Sequence, residues 1–363
     1  MFNFNAGALR PATDDARAET FSAANDLVRK TLSQHGLWND ADATEGALPM
    51  NDLMKGFKGL PAMQSGLRPA AQALDLPEGA VFRSESHTGR SGTRAYRQYI
   101  PASASMGVEG IVLMLHGCTQ TPEDFAIGTG MNAQGEAHRL VVIYPEQARG
   151  ANAQTCWNWF SKGDQKRDRG EPEILVGIIR KAMAEHGVPP ERVFVAGLSA
   201  GAAMAVILGE IYPDLFAGVG AHSGLPYGAA HDVPSAFAAM AGDLQHAVRT
   251  PPAARGMRTI AFHGRADRTV VAANSIEIVR RAANGTPHAV ETSNTGAQGG
   301  RNFQRTLTSD SAGQVVAEHW QIDGLAHAWS GGNKAGSYAD PSGPDASAEM
   351  VRFFLDRPVE SVQ

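Results

Sequence analysis

Six short apolar runs, each followed by a stretch with helical spacing, constrain this chain more than any other feature of its 363 residues. The runs are Ile111 to Leu115, Leu140 to Tyr144, Arg192 to Ala196, Gly218 to Ala221, Thr259 to His263 and Val315 to Ile322. Helical patterns follow near Gly130 to His138, Glu173 to His186, Ala200 to Ile211, Ser235 to Val248, Ser275 to Ala283 and Asp345 to Leu355. Runs this short and apolar suit strands buried on both faces. Their alternation with helices predicts an α/β architecture, a mostly parallel sheet between helical layers. Two more strand-like segments, Ala80 to Ser86 and Arg94 to Ile100, flank the turn-forming Thr88-Gly89-Arg90-Ser91-Gly92 and read as a hairpin. The expected sheet therefore has about eight strands.

Residues 1–75 carry none of this alternation. A helical pattern around Ala16 to Leu37, then a loop-like stretch with Asn39, Asp40, Gly46, Pro49 and Gly59, predicts a helical and irregular appendage, with the main domain over 76–363. Hydrophobic residues at 43 % and charged residues at 19 % fit a globular chain and exclude a disordered one. A net charge of −5 gives no footprint for nucleic acid, and Lys166-Arg167-Asp168-Arg169, diluted by its aspartate, reads as a solvated loop. The start, Met1-Phe2-Asn3-Phe4-Asn5, lacks the positive charge and apolar stretch of a secretory signal. Ala200 to Leu208, the most apolar helical stretch, falls far short of the ~20 residues of a membrane span. These features predict a cytoplasmic protein that engages no membrane. Cys118 and Cys156 leave a second reading open, because a bridge between them would indicate a secreted or periplasmic setting.

Gly197-Leu198-Ser199-Ala200-Gly201 lies between the run Val193-Phe194-Val195-Ala196 and the helix-prone Ala202 to Leu208. A serine held on a tight strand-to-helix turn needs small flanking residues, since larger side chains would collide with neighbouring backbone. The free N–H groups and positive end of the following helix favour negative charge developing beside the serine. Ser199 is the candidate nucleophile, although a Gly-Ser-Gly pattern alone arises by chance in a glycine-rich chain.

Partners for it follow in sequence. Asp267 sits in the loop after the run Thr259 to His263, and His327 in the glycine-bracketed loop Asp323 to Gly332 after Val315 to Ile322. The order serine, aspartate, histidine is that of the α/β-hydrolase fold and differs from both unrelated serine protease folds. In these roles the imidazole takes the serine proton and returns it to the leaving group, while the carboxylate fixes its tautomer. Competing residues fit less well. His263 reads as a strand-end structural residue and His319 lies within a strand. His222 precedes the acid, and Asp323, four residues before the histidine, reads as a turn residue.

His116-Gly117-Cys118-Thr119-Gln120 directly follows the run Ile111 to Leu115, where this fold places one N–H of its oxyanion hole. The backbone amides of Cys118 and Ala200 are the expected donors. Trp157 and Trp159, in Cys156-Trp157-Asn158-Trp159-Phe160, are candidate substrate-binding walls, as are Tyr227 and Trp329. Core packing is the competing explanation for each ring.

Taken together, Leu115 to Gln120, Cys156 to Phe160, Gly197 to Gly201, Ser223-Gly224-Leu225-Pro226-Tyr227-Gly228-Ala229 and His327 to Gly332 resemble the poly(3-hydroxybutyrate) depolymerase family of esterases. That family includes feruloyl and acetyl-xylan esterase-like enzymes, and the resemblance covers roughly residues 80–357. It implies an α/β-hydrolase with Ser199, Asp267 and His327 as triad and Cys118 in the oxyanion hole. The implied activity is hydrolysis of a carboxylic ester through an acyl-enzyme, without metal or organic cofactor. Substrates would be 3-hydroxybutyrate polymer or oligomers, or related short-chain esters. With no polymer-binding module visible after Gln363, soluble oligomers are expected ahead of crystalline polymer. A feruloyl or acetyl-xylan esterase, with Trp157 and Trp159 stacking on sugar, is the alternative. Weaker alternatives are a peptidase of the same fold and a non-catalytic binding module.

Overall fold

The computed structural model of the protein describes residues 74–249 and 256–356. The expected appendage, with its helical stretch from Ala16 to Leu37, lies outside the described residues apart from positions 74 and 75. Ten strands form one sheet: β1 (Val81–Gly89), β2 (Gly92–Ile100), β3 (Gly110–Leu115), β4 (Leu140–Pro145), β5 (Val193–Leu198), β6 (Gly218–His222), β7 (Thr259–Gly264), β8 (Val290–Gln298), β9 (Arg301–Ser309) and β10 (Val315–Ile322). Their order across the sheet is β1-β2-β4-β3-β5-β6-β7-β10-β9-β8. The six apolar runs are the central strands from β4 to β10, and all pair parallel. Antiparallel hairpins close both edges.

Alternating side chains of each central strand enter separate cores, which is why the runs are apolar throughout. Ile111, Leu113 and Leu115 of β3 face one core, whereas Val112 and Met114 face the other. The helices are α1 (Pro122–Thr129), α2 (Met131–His138), α3 (Gly170–His186), α4 (Ala200–Ile211), α5 (Val233–Met240), α6 (Gln245–Arg249), α7 (Ala273–Ala282) and α8 (Ala346–Leu355). Leu175 and Ile179 of α3 and Met204 and Leu208 of α4 fill the first core. Phe125 of α1, Met131 of α2 and Met350 and Phe353 of α8 fill the second. Burying each such side chain stabilises the fold by about 1.5–3 kcal/mol. Among the described residues no helix is long and apolar enough to cross a membrane.

The sheet exceeds the expected eight strands because β8 carries no apolar signal and β9 only the isolated Phe303 and Leu307. Glu291, Thr292, Ser293, Asn294 and Thr295 of β8 are all exposed, so this edge strand is held by backbone pairing to β9 rather than by burial. The single helix expected from Ser235 to Val248 is two, α5 and α6, separated by a turn at Ala241 and Gly242.

Candidate active site

Parallel pairing brings the carboxyl ends of the central strands into line. Leu115 lies opposite Gly197, Leu198 opposite His222, His222 opposite Phe262 and Phe262 opposite Trp320. The loops carrying Cys118, Ser199, Asp267 and His327 all leave from this one edge.

Ser199 joins β5 to α4 with φ 57° and ψ −120°, a conformation that costs a non-glycine residue on the order of 1–3 kcal/mol. The surroundings enforce it. A Cβ on Gly201 would lie 2.0 Å from the Leu115 carbonyl oxygen, and one on Gly197 would lie 2.5 Å from the Gly201 carbonyl carbon. Only hydrogen fits at either position, so the turn between them stays tight. The Ser199 N–H donates to the His222 carbonyl at 2.9 Å, fixing the turn to β6.

The next two loops are zipped together. Arg265 N–H donates to the Ile322 carbonyl at 2.9 Å and Ala266 N–H to the Leu325 carbonyl at 3.1 Å. A Cβ on Gly264 would lie 2.1 Å from the Leu325 oxygen, so glycine at the end of β7 permits this approach. The zipper delivers Asp267 to His327, whose Nδ1 lies 2.7 Å from Asp267 Oδ2. Asp267 Oδ1 accepts the N–H groups of Thr269 and Val270, each at 2.9 Å. Burial raises the Asp267 pKa, but the His327 hydrogen bond and the nearby charges and N–H donors outweigh it and hold the carboxyl below its ordinary value. An ionised acceptor requires the proton on His327 Nδ1, which leaves Nε2 as the basic nitrogen. The Asp267 side chain is closed to solvent while that of His327 stays 12 % exposed.

The remaining candidates have other partners. Asp323 pairs with Arg265 at 2.9 Å. His319 is buried with Nε2 2.9 Å from Ser275 Oγ, and His263 Nε2 donates to the Val270 carbonyl at 2.7 Å while lying 3.5 Å from Asp267 Oδ2, farther than His327 Nδ1.

The oxyanion-loop candidate runs beside the elbow, and a Cβ on Gly117 would lie 3.7 Å from Ser199 Cβ. Gly117 N–H donates to Gln120 Oε1 at 2.9 Å and Thr119 N–H to the Gln154 carbonyl at 2.8 Å. Among the described residues neither a backbone nor a side-chain acceptor takes the Cys118 N–H between them. Ala200 N–H opens α4, where no earlier turn supplies a carbonyl. A disulfide joins Cys118 to Cys156 with Cα atoms 4.2 Å apart. Among the described residues, no group of three or more His, Cys, Asp or Glu side chains is arranged to hold a metal ion.

Of the four aromatic candidates, the three Trp rings are buried and Tyr227 is half-buried. Trp157 is fully buried and donates from Nε1 to the His116 carbonyl at 3.1 Å, so it supports the oxyanion loop from behind. Trp159 is 6 % exposed within the same core, and Trp329 at 1 % donates to Ser347 Oγ. Tyr227 is half-buried with its ring beside Arg281, which reaches Glu210. Glu210 lies near the far end of α4, roughly 16 Å along the helix from Ser199 at about 1.5 Å per residue. Core packing, the competing explanation, accounts for the burial of the three Trp rings, and Tyr227 is partly buried against the core of Trp157 and Trp159.

Gln120, Gln147 and Glu171 buttress this region unseen in the sequence. Gln147 Nε2 donates to the Cys156 carbonyl and to buried Glu171, which also accepts the Asn158 N–H at 2.8 Å. No sequence signal marks these roles, since Gln147 lies between Glu146 and Arg149 and Glu171 between Arg169 and Glu173.

A family model described as esterase PHB depolymerase matches residues 94–296, more than half of the chain. The chain belongs to this family. Ser199 and Asp267 fall within the matched span and His327 beyond it. Poly(3-hydroxyalkanoate) depolymerase C of Paucimonas lemoignei is 34 % identical over 271 residues, covering 71 % of this chain and 61 % of that protein. Poly(3-hydroxybutyrate) depolymerase of Ralstonia pickettii is 31 % identical over 255 residues, covering 64 % and 51 %. The chain thus spans between about half and three-fifths of the length of these family relatives. Among solved structures, acetyl xylan esterase from Aspergillus awamori aligns with a TM-score of 0.57 at 19 % identity, over 75 % of this chain and 99 % of that one. That likeness shows the fold expected from the order of the candidates, the α/β-hydrolase fold.

Proposed function

We propose that the protein is a serine hydrolase of carboxylic esters, acting on 3-hydroxybutyrate polymer or oligomers or related short-chain esters. The observation that carries this reading is the 2.7 Å contact of His327 with Asp267 on loops leaving the same strand edge as the strained Ser199 turn. Ser199 Oγ attacks the acyl carbon while His327 Nε2 takes its proton, and the oxyanion is met by the amides of Cys118 and Ala200. The proton then passes to the departing alkoxide, leaving an acyl-enzyme that water, activated by the same imidazole, hydrolyses to the free acid. The names of the two depolymerase relatives favour hydroxyalkanoate esters as substrates. The buried faces of Trp157 and Trp159 weigh against the sugar-stacking alternative.

The disulfide between Cys118 and Cys156 favours work in an oxidising compartment over the expected cytoplasmic setting. Ser199→Ala is expected to lower ester turnover by roughly 10⁴-fold or more with the fold intact. Hydrolysis of nitrophenyl esters of rising chain length, hydroxybutyrate oligomers, acetylated xylan and feruloyl esters checks both parts. Undiminished turnover in the variant would reject the mechanism, and a preference for acetylated xylan would reject the substrate class.

A further inference from the structure

His222 is the last residue of β6 and has no solvent exposure. Its main chain and its side chain serve different loops. The carbonyl accepts the Ser199 N–H at 2.9 Å, while the ring Nε2 accepts the Ser330 N–H at 3.0 Å. A nitrogen that accepts from an amide carries no proton, so the ring is the Nδ1–H tautomer, and Nδ1 lies 3.2 Å from Ser223 Oγ as its acceptor. The ring stacks on Trp329, two residues after His327, at 5.2 Å and 25°, and on Phe262 of β7 at 5.8 Å and 10°. One buried residue therefore ties the Ser199 turn through its carbonyl and, through its ring, the strand leading to Asp267 and the segment carrying His327.

We propose that His222 is a positioning residue for ester hydrolysis, holding the segment His327 to Ser330 in register with the Ser199 turn. The inference rests on the assignment of Ser199, Asp267 and His327. No contact of His222 reaches the solvent-open edge, so it acts through the other residues and not on substrate. Burial drives its pKa down to about 3, with the charges of His263 and His327 acting the same way against Asp267. The ring thus remains an acceptor for Ser330 at any pH where His327 works as a base. Its sequence signal was its place at the end of a strand beside Ser223, whose φ of 51° turns the chain sharply away from the sheet.

The test compares His222→Phe, which keeps the stack and deletes both ring nitrogens, with His222→Gln, whose side-chain oxygen can reach the Ser330 N–H. In the full chain, with circular dichroism matching the parent, His222→Phe is expected to lower kcat for a nitrophenyl ester about tenfold with KM unchanged. Phosphonate labelling of Ser199 should slow by the same factor, and the low-field proton shared by His327 and Asp267 should broaden in ¹H NMR. His222→Gln is expected to recover kcat to within about threefold of the parent. A folded His222→Phe with parental kcat and an unchanged low-field proton overturns the proposal. Should that variant fail to fold, an ester in place of the amide at residue 330 deletes the same hydrogen bond without altering a side chain. A several-fold loss of kcat at constant KM then supports the proposal and parental kcat overturns it. Activity persisting in Ser199→Ala would instead overturn the underlying assignment, so the two failures are distinguishable.

Discussion

The Ser199 turn and the loop from His116 to Gln120, the proposed nucleophile turn and oxyanion loop, lie side by side, yet different forces shape them. At Ser199 the backbone conformation is imposed by contact, because Gly197 and Gly201 leave no room for a Cβ against Leu115 and each other. The loop from His116 to Gln120 is shaped by side chains and a bridge. Gln120 grips Gly117, Trp157 holds the His116 carbonyl, and Cys118 is tied to Cys156. Steric shaping needs only small residues in one five-residue motif set against the end of β3, while tethering recruits specific side chains as far off as Trp157 and, through Gln120, Ser337. The first region should therefore fail abruptly when altered and the second in steps.

Gly201→Ala is the sharpest way to break this contrast. A Cβ 2.0 Å from a backbone oxygen cannot be absorbed by a rotamer change, so β3 and α4 must separate. The expected cost is about 4 kcal/mol or more, measured by urea unfolding, with loss of Ser199 labelling in whatever folds. A variant within about 1 kcal/mol of the parent would show that the turn is not sterically set.

Opening the Cys118 to Cys156 bridge probes the other region. Its sequence separation of 38 residues predicts a loss of about 3–4 kcal/mol on reduction or in a Cys156→Ser variant, by the chain-entropy account. Ester turnover should fall while phosphonate labelling of Ser199 persists, since the turn does not depend on the bridge. Parallel loss of labelling and turnover would merge the two regions into one.

The same contrast explains what was legible in the sequence. The central strands, the Ser199 turn and the loops of Asp267 and His327 depend on local composition, namely apolar runs, glycines without room for a side chain and short loops at strand ends. The hairpin of β8 and β9 is not legible because Thr292, Ser293 and Asn294 of β8 pair through the backbone and are exposed, and β9 offers only isolated apolar residues such as Phe303. The sequence leaves Trp157, Trp159, Tyr227 and Trp329 open between substrate walls and core packing because ring chemistry is the same in a pocket and in a core. Only three-dimensional placement tells these apart, as it does for the ties made by Gln147 and Glu171.

A neutral buried histidine recurs in both regions. His116 Nε2 accepts the Gln147 N–H at 3.1 Å, as His222 Nε2 accepts that of Ser330. Burial lowers the His116 pKa to about 4, that of His222 to about 3 and that of His319 to about 4. Folded values below the unfolded value of about 6.5 mean that the unfolded chain binds more protons between pH 6.5 and 4. Stability is therefore full above that range and falls with pH within it, by about 2 kcal/mol per histidine at pH 5. Urea midpoints between pH 7.5 and 4.5 check the slope, and a flat profile would contradict neutral burial. Because a protonated imidazole cannot accept a hydrogen bond, the Gln147 and Ser330 amides should both open more readily as the pH falls. Native-state hydrogen exchange, corrected for intrinsic rates, checks this, and opening of either amide that does not depend on pH would contradict the acceptor role of the histidine beneath it.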